Sequence, residues 1–198
     1  MLFRSEHIIH RVSQSIAKTN LILRNIKTKN PEVLVKIYRT YIQSSLLYAS
    51  PIFASFYSDI IKRMDHVFHH FWRVAKCRPP SFLLRPSEMM IVNDMMLCWR
   101  IFNRKTCYNF YQLFEFTTHP INTRYADQGM LKVPQFQKAT SLHSFPIRCA
   151  KLLNLMHPAS LLMDRNKFRE RAATLAKKIA NRLPNSRWDD QSLALPPF

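Results

Sequence analysis

The chain has 198 residues, 47% hydrophobic and 12% aromatic, enough to bury one sizeable core or two small ones, which excludes disorder over the whole length as the expected state. Its single glycine, Gly129, excludes the glycine-rich phosphate loops and with them most nucleotide-binding enzymes. Thirty Lys and Arg against 12 Asp and Glu give a formal charge of +18, which favours a polyanionic partner, nucleic acid first and an acidic membrane surface second.

From Ser5 to Ile26, the apolar residues Ile8, Ile9, Val12, Ile16, Leu23 and Ile26 recur at helical spacing with Arg11, Lys18 and Arg24 between them, predicting an amphipathic helix with a basic outer face. Asn30-Pro31-Glu32 supplies an N-cap, a proline at the first helical position and an acid in the first turn. The helix it opens carries Leu34, Ile37, Tyr38, Tyr41 and Ile42 and is expected to stop before Pro51. A third helix is predicted from Ser58, presenting Ile61, Met64, Val67, Phe68, Phe71 and Trp72, and ending before Arg78-Pro79-Pro80.

Beyond that break, Pro86-Ser87-Glu88 opens an apolar stretch that runs through Leu97, Ile101 and Phe110 to Phe116 and reads as two or three short helices. Residues 117–143 hold Pro120, Gly129 and Pro134 among polar residues and read as an exposed loop, with a brief β-like run at Leu131 to Val133. Helices resume over Phe145 to Met156 and Asp164 to Leu183. The fold class expected is mainly α: a three-helix bundle over 1–80, then a helical region over 81–183 with one short β hairpin or extended segment. A flexible Pro-rich tail over 184–198 completes it.

No apolar run approaches a membrane span, and Met1 to His10 carries Arg4, Glu6 and two histidines where a secretory signal needs apolar residues. A soluble intracellular protein of nucleus or cytoplasm is therefore expected, without a membrane partner; a mitochondrial transit peptide ranks below, because the first thirty residues also read as a working helix. Cys77, Cys98, Cys107 and Cys149 stand far apart without zinc spacing and are read as reduced thiols.

Candidate chemistry is sparse. Asp189-Asp190 is the only adjacent aspartate pair, the kind a two-metal polymerase needs, but it sits in a proline-flanked polar tail and reads as a solvated dipeptide. His66, His69 and His70 stand at helical spacing without a Cys or acid to complete a metal site, apart from Asp65, and read as surface residues. Cys77 lies between Lys76 and Arg78 with no base partner and reads as an ordinary thiol. No catalytic residue, metal or cofactor is expected.

The candidate phosphate contacts are Arg11, Lys18, Arg24, Lys27, Lys29, Lys36 and Arg39, taken as a patch since any one alone reads as a solvated charge. Arg165, Lys167, Arg169, Arg171, Lys177, Lys178 and Arg182 form a second basic cluster, open to nucleic acid or to a partner protein. Tyr38, Tyr41, Tyr48, Phe71 and Trp72, at helical spacing, are expected in the core rather than as base-stacking platforms.

The run Leu34-Val35-Lys36-Ile37-Tyr38-Arg39-Thr40-Tyr41-Ile42, followed by Leu46-Leu47-Tyr48-Ala49-Ser50-Pro51, resembles the thumb of non-LTR (LINE-type) retrotransposon reverse transcriptases. Phe3-Arg4-Ser5 with His7 and Ile8 resembles that family's entry into the thumb. Leu113-Phe114-Glu115-Phe116, Leu131-Lys132-Val133-Pro134, Ser144 to Arg148 and Phe168-Arg169 with Arg171 are similar to elements of its C-terminal region, in the same order. The likeness spans residues 3–175 and is strongest in the first third. It departs where the family's Gln-Arg-Arg-Phe is Phe68-His69-His70-Phe71 and where its Arg-Pro is Ser44-Ser45.

The resemblance implies a nucleic-acid-binding fragment whose catalytic aspartates belong to a palm upstream of Met1, so that the chain grips RNA, DNA or their hybrid through phosphates and is not an enzyme alone. A missing palm and fingers are then possible partners. The alternative is a helical interaction scaffold or a retroelement relic.

Overall fold

The chain is mainly helical, as its periodicity predicts, in a computed structural model that describes residues 2–53, 58–106, 110–115, 131–133, 144–156 and 158–180. Helix α1 (Leu2–Asn25) turns its Ile8, Val12, Ser15 and Thr19 inward and lies along α5 (Ser58–Ala75). Asn30 caps α2 (Pro31–Ile37), its Oδ1 accepting from the Glu32 N–H at 2.9 Å. The helix then widens into a π-helical stretch, Tyr38–Gln43, before α3 (Ser44–Leu47). Tyr48 is extended and Ala49 adopts a φ of 56°, so the chain breaks there and restarts as α4 (Ser50–Phe53). Pro51 thus lies in the first turn of a new helix, where its missing N–H costs nothing.

A single long helix, α6 (Pro86–Phe102), stands where two or three short ones are expected after the Pro79-Pro80 break, followed among the described residues of that stretch by the 3-10 turn Phe110–Leu113. Glu88 starts α6 by accepting from the Arg85 backbone N–H at 2.8 Å and from its guanidinium at 2.9 Å. No internal glycine or proline interrupts it, and the continuous burial of Met90, Ile91, Met95, Cys98 and Trp99 rewards its length. α7 (Phe145–Asn154), a 3-10 turn (Pro158–Leu162) and α8 (Arg165–Ala180) follow, with α8 laid along α6.

Two apolar clusters result. One joins α1, α2, α3 and α5 around Tyr38, Phe68, Phe71 and Trp72, whose rings meet edge-on or tilted at centroid distances of 5.1–6.4 Å. The other joins α6, α7 and α8 around Met95, Trp99, Leu152 and Phe168. They meet along α5 and α6, since Ile61 belongs to the second cluster and Met90 to the first.

The second cluster is also tied by polar links. Arg148, fully buried, grips the equally buried Asp94 through two bonds of 2.8 and 3.1 Å and donates at 2.9 Å to the Pro51 carbonyl. Burial raises the Asp94 carboxyl above its ordinary value, against the pull of Arg148. One turn along α6 and at the next residue of α7, Cys98 and Cys149 form a disulfide with Cα atoms 6.6 Å apart. The expectation of reduced thiols fails at this pair, because 51 residues of sequence separate two sulfurs that only α6–α7 packing brings together. Cys77 is free, and Cys107 lies outside the described residues.

No strand occurs among the described residues; Lys132 N–H donates to the Glu115 carbonyl at 2.7 Å, and the Asn154 side chain pairs with both backbone groups of Leu131 at 2.9 Å. The rest of loop 117–143 and the tail 184–198, with Asp189 and Asp190, lie outside the described residues.

Candidate nucleic-acid interface

Between residues 2 and 47 the acidic residues are Glu6 and Glu32, against Arg4, Arg11, Lys18, Arg24, Lys27, Lys29, Lys36 and Arg39. The fold sorts the seven predicted contacts into three places. Arg11 and Lys18, two turns apart on α1, both reach α3: Arg11 Nη1 donates to the Ser45 carbonyl at 2.7 Å and Lys18 Nζ to Ser45 Oγ at 3.0 Å. Arg24 is exposed about 120° round α1 from Lys18, near the exposed Lys27 and Lys29 of the connector. Lys36 and Arg39 project from α2 and the π-helical stretch, where the Arg39 guanidinium stands 5.7 Å from the centroid of the exposed Phe82 ring.

Arg11 differs from the other six in being half-buried. Its Nε donates to His7 Nε2 at 2.8 Å, its Nη1 also reaches the Tyr48 carbonyl at 3.4 Å, and its guanidinium lies 5.5 Å from the Tyr48 ring centroid. It fastens the end of α3 to α1, so its first role is in the fold and the exposed lysines are better placed for phosphates.

Beside this clasp an open groove of about 550 Å³ runs between α1 and α3. His7, His10, Arg11 and Gln14 line one wall, and Ser44, Ser45 and Tyr48 the other. Its lining holds donors, acceptors, two imidazoles and one phenol ring, and no carboxylate. The histidines and Gln14 were legible in principle, since positions 7, 10 and 14 share one helical face; so was the polar Gln43-Ser44-Ser45 run in an otherwise apolar helix.

The aromatics divide. Tyr38, Phe71 and Trp72 are core residues, whereas Tyr41 and Tyr48 are 57% and 70% exposed, against the expectation that all five are buried. The π-helical stretch inserts extra backbone after Tyr38, so the inward face continues through Ile42 and Leu46 and Tyr41 swings out. Tyr48 is outside the helix altogether.

Other candidates resolve as structure. His66 and His70 stack at 6.1 Å, and His69 packs edge-on to Phe68. His70 Nδ1 faces the Arg73 guanidinium at 3.1 Å and Nε2 faces Asn20 Oδ1 at 2.8 Å, joining α5 to α1. Burial first, then Arg73 and His66, lower the His70 pKa. Asp65 accepts from both the N–H and hydroxyl of Ser87, and burial raises its carboxyl above the ordinary range despite those donors. Among the described residues no group of three His, Cys, Asp or Glu is placed to hold a metal ion, and no helix is long and apolar enough to cross a membrane. On α8 the basic residues Arg165, Lys167, Arg169, Arg171, Lys177 and Lys178 are exposed; Arg171 donates to Ser160 Oγ at 3.1 Å, and Arg182 lies outside the described residues.

Comparison with protein-family models, with curated proteins and with solved structures yields no match.

Proposed function

We propose that this chain binds nucleic acid, RNA, DNA or their hybrid, through the basic surface of α1 and α2, and that it performs no catalysis by itself. The observation that carries the reading is the exposed, almost acid-free basic surface of residues 6–47, on a chain of charge +18. The thumb-like run from Leu34 to Pro51 supports it from the sequence side, and in that reading the chain is the thumb and C-terminal region of a retrotransposon reverse transcriptase, gripping a template-primer duplex.

The test is binding of the purified chain to labelled hybrid duplex, double-stranded RNA and single strands across a salt series. Affinity falls steeply with salt, and replacing Lys18, Arg24 or Lys36 by Gln flattens the slope by about one each if that residue meets a phosphate. Absent or salt-insensitive binding rejects the proposal. A helical interaction scaffold is the second reading, favoured by Ile52, Phe82 and Leu162, which are 75%, 63% and 89% exposed.

A further inference from the structure

A groove that holds a nucleotide needs a flat apolar face for the base, hydrogen-bonding groups for its edges, and cationic charge for the phosphate, without carboxylates to repel it. The α1–α3 groove has each. Tyr48 supplies the face: Arg11 lies against its ring, yet the residue remains 70% exposed. Arg11 holds the carbonyls of both Ser45 and Tyr48, which sets where the chain leaves α3, and its guanidinium lies 5.5 Å from the ring centroid. Along the walls His10 Nε2 and Gln14 Nε2 pair with each other at 2.9 Å and the Ser44 hydroxyl donates to the Thr40 carbonyl, so a base edge would exchange with the His10–Gln14 bond or meet the lone pairs of Ser44, and Lys18 stands at the edge through its bond to Ser45. A base pair inside a duplex cannot present its flat side to the Tyr48 ring, because its neighbours in the stack cover both faces.

We infer that this groove takes an unpaired nucleotide, its base stacked on Tyr48 and its phosphate near Lys18, so that the chain prefers nucleic acid with a single-stranded segment over a blunt duplex. Arg11 is here a positioning residue that backs the ring. This rests on the proposed nucleic-acid binding and deepens it.

The test compares the full chain on a blunt duplex and on the same duplex carrying a short overhang with 2-aminopurine as its first unpaired base. The overhang substrate binds tighter, and stacking on Tyr48 quenches the 2-aminopurine fluorescence. Tyr48→Ala weakens overhang binding by about five- to tenfold, leaves the blunt duplex unaffected, and abolishes the quench, while Tyr48→Phe retains all three properties. Because the side chain is largely in solvent, both variants keep the wild-type melting curve. Equal binding of the two substrates with no effect of Tyr48→Ala overturns this inference and leaves the basic-surface reading standing. Failure of the wild-type chain to bind either substrate at low salt overturns both.

Discussion

The two clusters of this chain are held together by different means. Around Tyr38, Phe68, Phe71 and Trp72 the cohesion is aromatic and apolar packing, and three buried polar atoms there, Ser15 Oγ, Tyr38 Oη and Trp72 Nε1, have no hydrogen-bond partner. Around α6, α7 and α8 the buried polar groups are specifically paired: Arg148 with Asp94, Trp99 Nε1 with the Met163 carbonyl at 3.1 Å, and Cys98 with Cys149. Packing alone is tolerant of small shifts, whereas a buried bidentate ion pair and a covalent link admit one arrangement. The candidate groove lies on the packing-held cluster, where the Arg11 clasp fastens its walls locally, and the second cluster adjoins it through α5 and α6.

The strongest way to break that contrast is at Arg148. Arg148→Met leaves the Asp94 carboxylate buried and uncompensated, at an expected loss of about 3–5 kcal/mol in urea unfolding, whereas Arg148→Met combined with Asp94→Leu recovers most of it. In the first cluster the opposite sign is expected for removal of a polar atom. Burial, then the charge of Asp65, hold the Tyr38 phenol well above its ordinary pKa, so it stays protonated with an unanswered donor. Tyr38→Phe is accordingly neutral or stabilising by up to about 1 kcal/mol. A loss of that size instead would reveal a bridging water and erase the difference between the clusters.

The smallest effect is acid sensitivity at the α1–α5 seam. His70 has a folded pKa below its ordinary 6.5, so between those two values the unfolded chain binds more protons than the folded one. Stability contributed by the uncharged imidazole is present above 6.5 and is lost as pH falls through that window. His70→Gln keeps a hydrogen bond toward Asn20 and flattens this part of the stability–pH curve; unchanged curvature would assign the acid sensitivity to other groups. The group is only partly buried, so solvent keeps the effect small.

The elements that were readable had local causes. Asn30-Pro31-Glu32 starts α2 through a cap and a fixed φ, and Ser58 to Ala75 shows its apolar residues at one helical period. Errors fell where distant residues decide. The length of α6 comes from burial against α8, and the departure of Tyr41 and Tyr48 from the core comes from the π-helical stretch and the left-handed Ala49 that follow Ile37. Of the candidate contacts, six basic residues are exposed, but their separation into three places and the inward turn of Arg11 depend on how α1 meets α3.

By itself, the sequence determined a mainly helical chain with a large positive charge and no glycine-rich phosphate loop, because periodicity, capping and charge count are local or additive properties. Tertiary structure alone decided that Cys98 meets Cys149, that Arg148 is buried on Asp94, and that His7, His10, Ser45 and Tyr48 surround one groove. Those pairings join residues tens of positions apart, and their energies exist only once packing has brought the helices together.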